Sequence, residues 1–357
     1  MIATPVLEET RTRHRWTELA LPVAALWSAA ELVAGVAWLR GADGNPAVPR
    51  PDEAPGLSVL HAAGPDGGAA VLTGAGILGL AVVAVMLLQR RGSSSATSMR
   101  IVAGVAVALG LALALVLPDY RLLAWVAYLP IIAVMVVAGT MPDGVQVWPW
   151  PVVHMALATL GGIAFLVAAR EHVRLAADCT WCGRSSGRFA AWAVRNARWA
   201  VGVAVVVPVG YAVTRLAWAF GIPLGISEDM LDEIGDIVWM GAGLAALAIG
   251  GAVLTLGLVQ RWGEVFPRWI PGLHGRRVPP ALAIVPASVV SLLVTSAGLM
   301  FLRFGWDGTL GDAVPGDDSN IAAWLPEMFW PLWGVALALA TYAYAVRRRE
   351  PCERCGR

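Results

Sequence analysis

The sequence predicts an all-α fold: a polytopic transmembrane helix bundle of about eight spans, arranged as two pseudo-repeat halves. Three observations carry this. First, 58% of the residues are hydrophobic and only 14% charged, where soluble domains carry about 25% charged residues, and a soluble core could not hide that much apolar surface. Second, nine apolar runs approach the ~20 residues that a helix rising ~1.5 Å per residue needs to cross ~30 Å of hydrocarbon. Third, the arginines gather in particular loops, as basic residues do on the cytoplasmic side of a membrane. All 26 basic residues are arginine, so the information lies in where they fall. A net charge of +1 offers no bulk attraction to nucleic acid. The partner implied by the composition is the lipid bilayer.

The runs cover 17–39, 68–89, 101–117, 122–140, 152–169, 199–221, 237–259, 280–303 and 325–346. The first is longer than the ~7–15-residue apolar stretch of a signal peptide and is expected to remain as an uncleaved span. Arg11, Arg13 and Arg15 precede it, and Arg90, Arg91 and Arg100 follow the second run. Arg170, Arg174, Arg184, Arg188, Arg195 and Arg198 separate the fifth from the sixth. Arg261, Arg268, Arg276 and Arg277 follow the seventh, and Arg347, Arg348, Arg349, Arg354 and Arg357 follow the last. The loops 222–236 and 304–323 hold no arginine and carry Glu228, Asp229, Asp232, Glu233, Asp236, Asp307, Asp312, Asp317 and Asp318. These two loops are expected outside, with both termini cytoplasmic and the protein multi-pass in the inner (plasma) membrane.

Three runs lie between the arginine loops ending at 100 and beginning at 170, and three crossings cannot join two loops on one side. Either the N-terminus flips, giving nine spans with six arginines outside, or one run does not cross. The expectation is that 122–140, interrupted by Pro130, is a re-entrant or interfacial hairpin, whose non-helical backbone protein or water must satisfy.

Repetition supports the same choice. Arg15-Trp16 precedes a run containing Pro22, and Arg198-Trp199 one containing Pro208. The second run of each half ends alike, Gln89-Arg90-Arg91-Gly92 and Gln260-Arg261-Trp262-Gly263. Each half closes on CxxCGR, at Cys179–Arg184 and Cys352–Arg357. The domains expected are therefore 1–184 and 185–357, each a four-span half, with 122–140 an insertion in the first. Chance similarity among Ala/Val/Leu-rich spans is the competing account.

Cys179, Cys182, Cys352 and Cys355 are the only cysteines and form two CxxC pairs on the predicted cytoplasmic side. Two residues between thiolates let both sulfurs face one ion, and two such knuckles complete a tetrahedral zinc site. Disulfides are rare in a reducing cytosol, where paired CxxC motifs point to metal or catalysis. One shared structural zinc is expected; redox-active thiols, thiols without metal and sites shared between chains remain alternatives. His172 is a further potential ligand.

Ionisable residues inside runs are costly and expect partners. Glu31 and Arg215 sit at similar depth in the first runs of the two halves, which suggests an intramembrane pair. Alternatively, Arg215 snorkels outward and Glu31 faces a polar groove. Glu228, Asp232 and Asp236 recur at i, i+4 spacing and could form an outer cation site or simply a solvated turn introducing the next span. His154 and Tyr211 could line a path or be satisfied by neighbouring helices. Tryptophans such as Trp148, Trp150, Trp324 and Trp330 fall at run ends, where interfacial belts place them.

The strings PDYR at Pro118–Arg121, RLAWAFGIPLGIS at Arg215–Ser227 and the two CxxCGR ends resemble a group of uncharacterised actinobacterial multi-spanning integral membrane proteins. The similarity spans most of the chain and implies the membrane class without a mechanism. The function expected is an integral membrane protein in which a cytoplasmic four-cysteine, zinc-binding site joins the two halves. A small-solute or ion transporter or channel with a site between the halves, and a membrane thiol oxidoreductase, are the alternatives. No Walker loop, HExxH or triad is present, and the one GxGxxG string, Gly74–Gly79, lies inside an apolar run rather than after a strand, so a non-enzyme is the expectation.

Overall fold

The structure, a computed structural model, describes residues 17–51, 53, 56–92, 94–141, 146–174, 179, 187–307, 320–349, 352 and 355. Among them the only extended pairing is an isolated antiparallel bridge, Val265 to Arg277. The rest of the regular structure is helical, in the order α1 (Ala20–Leu39), α2 (Gly64–Arg91), α3 (Ala96–Leu111), α4 (Tyr120–Ala138), α5 (Trp150–Arg174), α6 (Arg188–Ala219), α7 (Glu228–Ile234), α8 (Val238–Leu256), α9 (Pro280–Asp307), α10 (Leu325–Met328) and α11 (Trp330–Arg347). A π-helical turn, Ala112–Val116, prolongs α3.

Among the described residues eight helices are long and apolar enough to cross a membrane: α1, α2 with the 3-10 turn before it, α3 with its π turn, α4, α5, α6, α7 continuing into α8, and α9. The fold is thus an all-α polytopic bundle, but membership of the eight differs from expectation. The run 122–140 is not a hairpin: α4 passes through Pro130 unbroken. Proline removes one N–H and crowds the preceding turn, yet membrane helices tolerate it where neighbouring groups re-satisfy the backbone. The ends of α4 are set locally. Asp119 accepts from the Arg121 amide at 3.0 Å and binds its guanidinium, while Gly139 adopts the left-handed conformation that terminates helices (φ 67°). Conversely α11, 18 residues long, is not among the eight; its 18 residues include Arg347 besides Pro331, two tryptophans and two tyrosines.

Two compact units are formed. The first comprises Met1–Pro118, Pro142–Ser186 and Pro351–Arg357; the second comprises Asp119–Met141 and Gly187–Glu350. Two segments therefore depart from a simple cut at 184/185: α4 belongs with the second unit, and the C-terminal segment with the first.

In the first unit α1 pairs with α2, α3 with α5, and α1 with α5. The inward stripe of α1 recurs every three or four residues, through Ala20, Ala24, Trp27, Ser28, Glu31, Gly35 and Trp38. Small residues bring the backbones together, since lipid offers helices no hydrophobic drive to associate and close contact must supply the energy. A Cβ at Gly76 would lie 2.8 Å from the Ser28 carbonyl. Gly110 and Gly162 abut in the same way between α3 and α5, and Trp27 lies across Gly161.

In the second unit α6 pairs with α8, α9 with α11, and α6 with α11, while α4 lies on α9. Alanines 200, 204, 336 and 340, with Val201, Leu258, Leu337 and Tyr344, form a buried core. Gly334 receives a hydrogen bond on its carbonyl from Ser291 Oγ at 2.8 Å, locking α11 to α9. The Tyr344 hydroxyl donates to the Gly263 carbonyl at 2.7 Å.

Candidate metal centre and buried polar pairs

The C-terminal segment brings Cys352 and Cys355 to Cys179, and the three Sγ atoms all lie within 4.8 Å of one another. Cys352 is buried, Cys179 half-buried and Cys355 exposed. Tetrahedral zinc holds thiolates at about 2.3 Å, which places neighbouring sulfurs ~3.8 Å apart, so three sulfurs this close fit the donor set of one thiophilic ion. All three belong to the first unit. Cys182, the fourth expected ligand, lies outside the described residues. His172 does not join the group. It is buried at the end of α5, where its Nε2 hydrogen-bonds the Gln89 side-chain oxygen at 2.7 Å.

Glu31 and Arg215, expected to pair with each other, each have another partner. The carboxylate of Glu31 on α1 binds His154 Nε2 on α5 at 3.1 Å, with both residues buried. The His154 ring sits between Trp38 and Trp150, at centroid distances of 5.8 and 6.1 Å. Trp150 is itself fixed by donating to the Gly44 carbonyl at 2.7 Å. His154 Nδ1 is buried and has no protein partner.

Arg215 on α6 pairs with Glu327 on α10. Its guanidinium also donates to the carbonyls of Ala322 and Ala323, at 2.8 and 3.1 Å, and lies 4.6 Å from the Tyr211 ring and 4.3 Å from the Trp218 ring. A buried cation requires such compensation, because desolvation alone would expel it. Tyr211 in turn contacts Trp330, which contacts Phe301. The second carboxylate oxygen of Glu327 and the Trp330 indole nitrogen are buried without a protein partner.

Sequence inspection missed Glu327 as a partner, although it is the only charged residue in the run 325–346. One further signal was available. His154 and Glu327 are separated by the same number of residues as Cys179 and Cys352, and Glu31 and Arg215 by one residue more than Trp16 and Trp199.

The acids Glu228, Asp232 and Asp236 are exposed, and among the described residues only the three cysteines converge as a ligand group. They do not share one helix face: α7 ends at Ile234, and Gly235 (φ 50°) turns the chain before Asp236. Glu228 and Asp229 instead occupy the first turn of α7 behind the Ser227 cap, where negative charge favours the helix N-terminus. Comparison with family models, curated proteins and solved structures finds no match.

Proposed function

We propose that this chain is a multi-pass plasma-membrane protein, with cytoplasmic termini, whose C-terminal tail is held by a structural zinc ion on Cys179, Cys182, Cys352 and Cys355. The reading places the protein among membrane scaffolds rather than enzymes. The convergence of three thiols from distant points of the sequence carries it. Arginine distribution supports the sidedness, which also puts the thiols in a reducing compartment where metal binding outcompetes disulfides. The ion supplies a bond between the tail and the loop that ends the first half. Cys352, the buried member, anchors the tail, and the exposed Cys355 closes the site from the solvent side.

The same reading includes tandem duplication. In support, helix pairing follows one order in both units, first with second, third with fourth and first with fourth. The buried polar pairs Glu31–His154 and Arg215–Glu327 also fall at similar places in the two units: Glu31 and Arg215 on the first helices, His154 near the start of α5, and Glu327 on α10 just before α11.

Elemental analysis of the full chain purified in detergent tests the metal. One zinc per chain is expected, lost in Cys352→Ser and in Cys179→Ser. Absence of metal together with a titratable disulfide would replace this reading with the thiol-oxidoreductase one.

A further inference from the structure

Between α8 and α9 the chain forms a small, braced hairpin independent of the cysteine site. Val278 donates to the Glu264 carbonyl at 2.9 Å, Phe266 to Arg276 at 3.0 Å and Gly275 to Phe266 at 3.0 Å. The end of α11 grips its base. Arg348 donates to the carbonyls of Val278, at 2.6 Å, and Glu264, at 3.4 Å, while Arg347 donates to that of Leu258. The bend leading into it tolerates only glycine, since a Cβ on Gly263 would collide with the Gly257 backbone.

What this frame presents is unusual for a connecting loop. Trp269 is 80% exposed and Leu273 41%, and Arg268, His274, Arg276 and Arg277 are exposed beside them. No acidic residue occurs between Val265 and Arg277. Both flanking helices are apolar enough to be spans, so the hairpin emerges at the bilayer surface. Its indole matches the headgroup region that tryptophan favours, and guanidinium groups form paired hydrogen bonds with phosphate oxygens.

We propose that the hairpin 264–278 docks on anionic phospholipid headgroups of the leaflet from which α8 and α9 emerge. Trp269 and Leu273 insert at the interface, and Arg268, Arg276 and Arg277 bind the phosphates. Each arginine near an anionic surface strengthens partition roughly fivefold. Charge supplies the lipid preference, and the aromatic supplies depth.

The test is hydrogen exchange of the full chain in nanodiscs of pure phosphatidylcholine and of phosphatidylcholine mixed with phosphatidylglycerol. Amides between 265 and 277 are expected to slow about tenfold in the anionic discs. The difference should disappear in high salt and in the Arg268→Gln/Arg276→Gln/Arg277→Gln variant, whose spans keep their own protection. Trp269→Ala should weaken the protection while leaving its dependence on anionic lipid. Equal exchange of the wild type in both discs overturns the proposal. So does equal slowing in the triple variant, or slowing in phosphatidylcholine discs on addition of inorganic phosphate, which would indicate a site for a soluble anion.

Discussion

Arg215 is buried where six neighbours share the cost of desolvating it: one carboxylate, two carbonyls, the Thr214 hydroxyl and two aromatic faces. Removing the carboxylate is the severe change. Glu327→Ala should lower stability by about 3–5 kcal/mol, because it leaves a buried cation without its counter-ion, read as a shift of the denaturation midpoint in detergent. The double replacement Arg215→Met/Glu327→Leu should cost much less, since no charge is then stranded. Glu31→Gln should be milder, at ~1–2 kcal/mol, because an amide oxygen still accepts from His154 Nε2. That Glu31 and Arg215 needed partners was legible from their place in apolar runs; their identities were not. Equal depth says which residues could meet, whereas the pairing of α1 with α5 and of α6 with α10 and α11 decides which ones do. His154 and Glu327 stand near the starts of their helices, where a sequence alone invites reading a polar side chain as part of the water-facing border.

Among the helices, close approach is concentrated at a few glycines. Between α3 and α5, any side chain at Gly162 would meet the Ala114 amide at 3.0 Å as well as the Gly110 carbonyl, whereas Gly104 on the same α3 faces open space. Gly162→Leu should therefore destabilise by about 1–3 kcal/mol or more as α3 and α5 are forced apart, and Gly104→Leu should stay within ~0.5 kcal/mol. Thermal unfolding of the two variants side by side makes the comparison. Helix existence was legible along most of the chain, because apolar length and arginine borders are strong signals. The error at 122–140 came from treating Pro130 as a break. The runs containing Pro208 and Pro286 were accepted as spans, and both prolines indeed lie within continuous helices, α6 and α9. Parity of crossings pressed one run out of the membrane and Pro130 marked it as a hairpin, whereas α4 is one continuous helix apolar enough to cross. On apolarity it is α11 that stands apart.

For the whole molecule, a tail-holding zinc implies that metal and stability are linked. A strong chelator should lower the melting temperature of the full chain. Cys179→Ser and Cys352→Ser should lower it equally, and together no further, because either one alone abolishes the common site. Unequal or additive losses, measured calorimetrically in detergent, would speak against a shared ion. The cysteines were the most legible part of the candidate site: four thiols in two matched motifs leave few chemistries open. The hairpin at 264–278 was legible only as an arginine-bearing loop, since its bracing by Arg348 depends on where α11 ends. The allotment of α4 to the second unit carries one more consequence, for biogenesis. The ribosome delivers α4 long before α9, the helix it lies against. At ~5–20 residues per second, α4 must wait on the order of ten seconds in the membrane without its neighbour. The helices α1, α2, α3 and α5 of the first unit can pack together as soon as α5 has emerged. Expressing the halves as separate polypeptides, cut at 184/185, should therefore strand α4 with the wrong fragment.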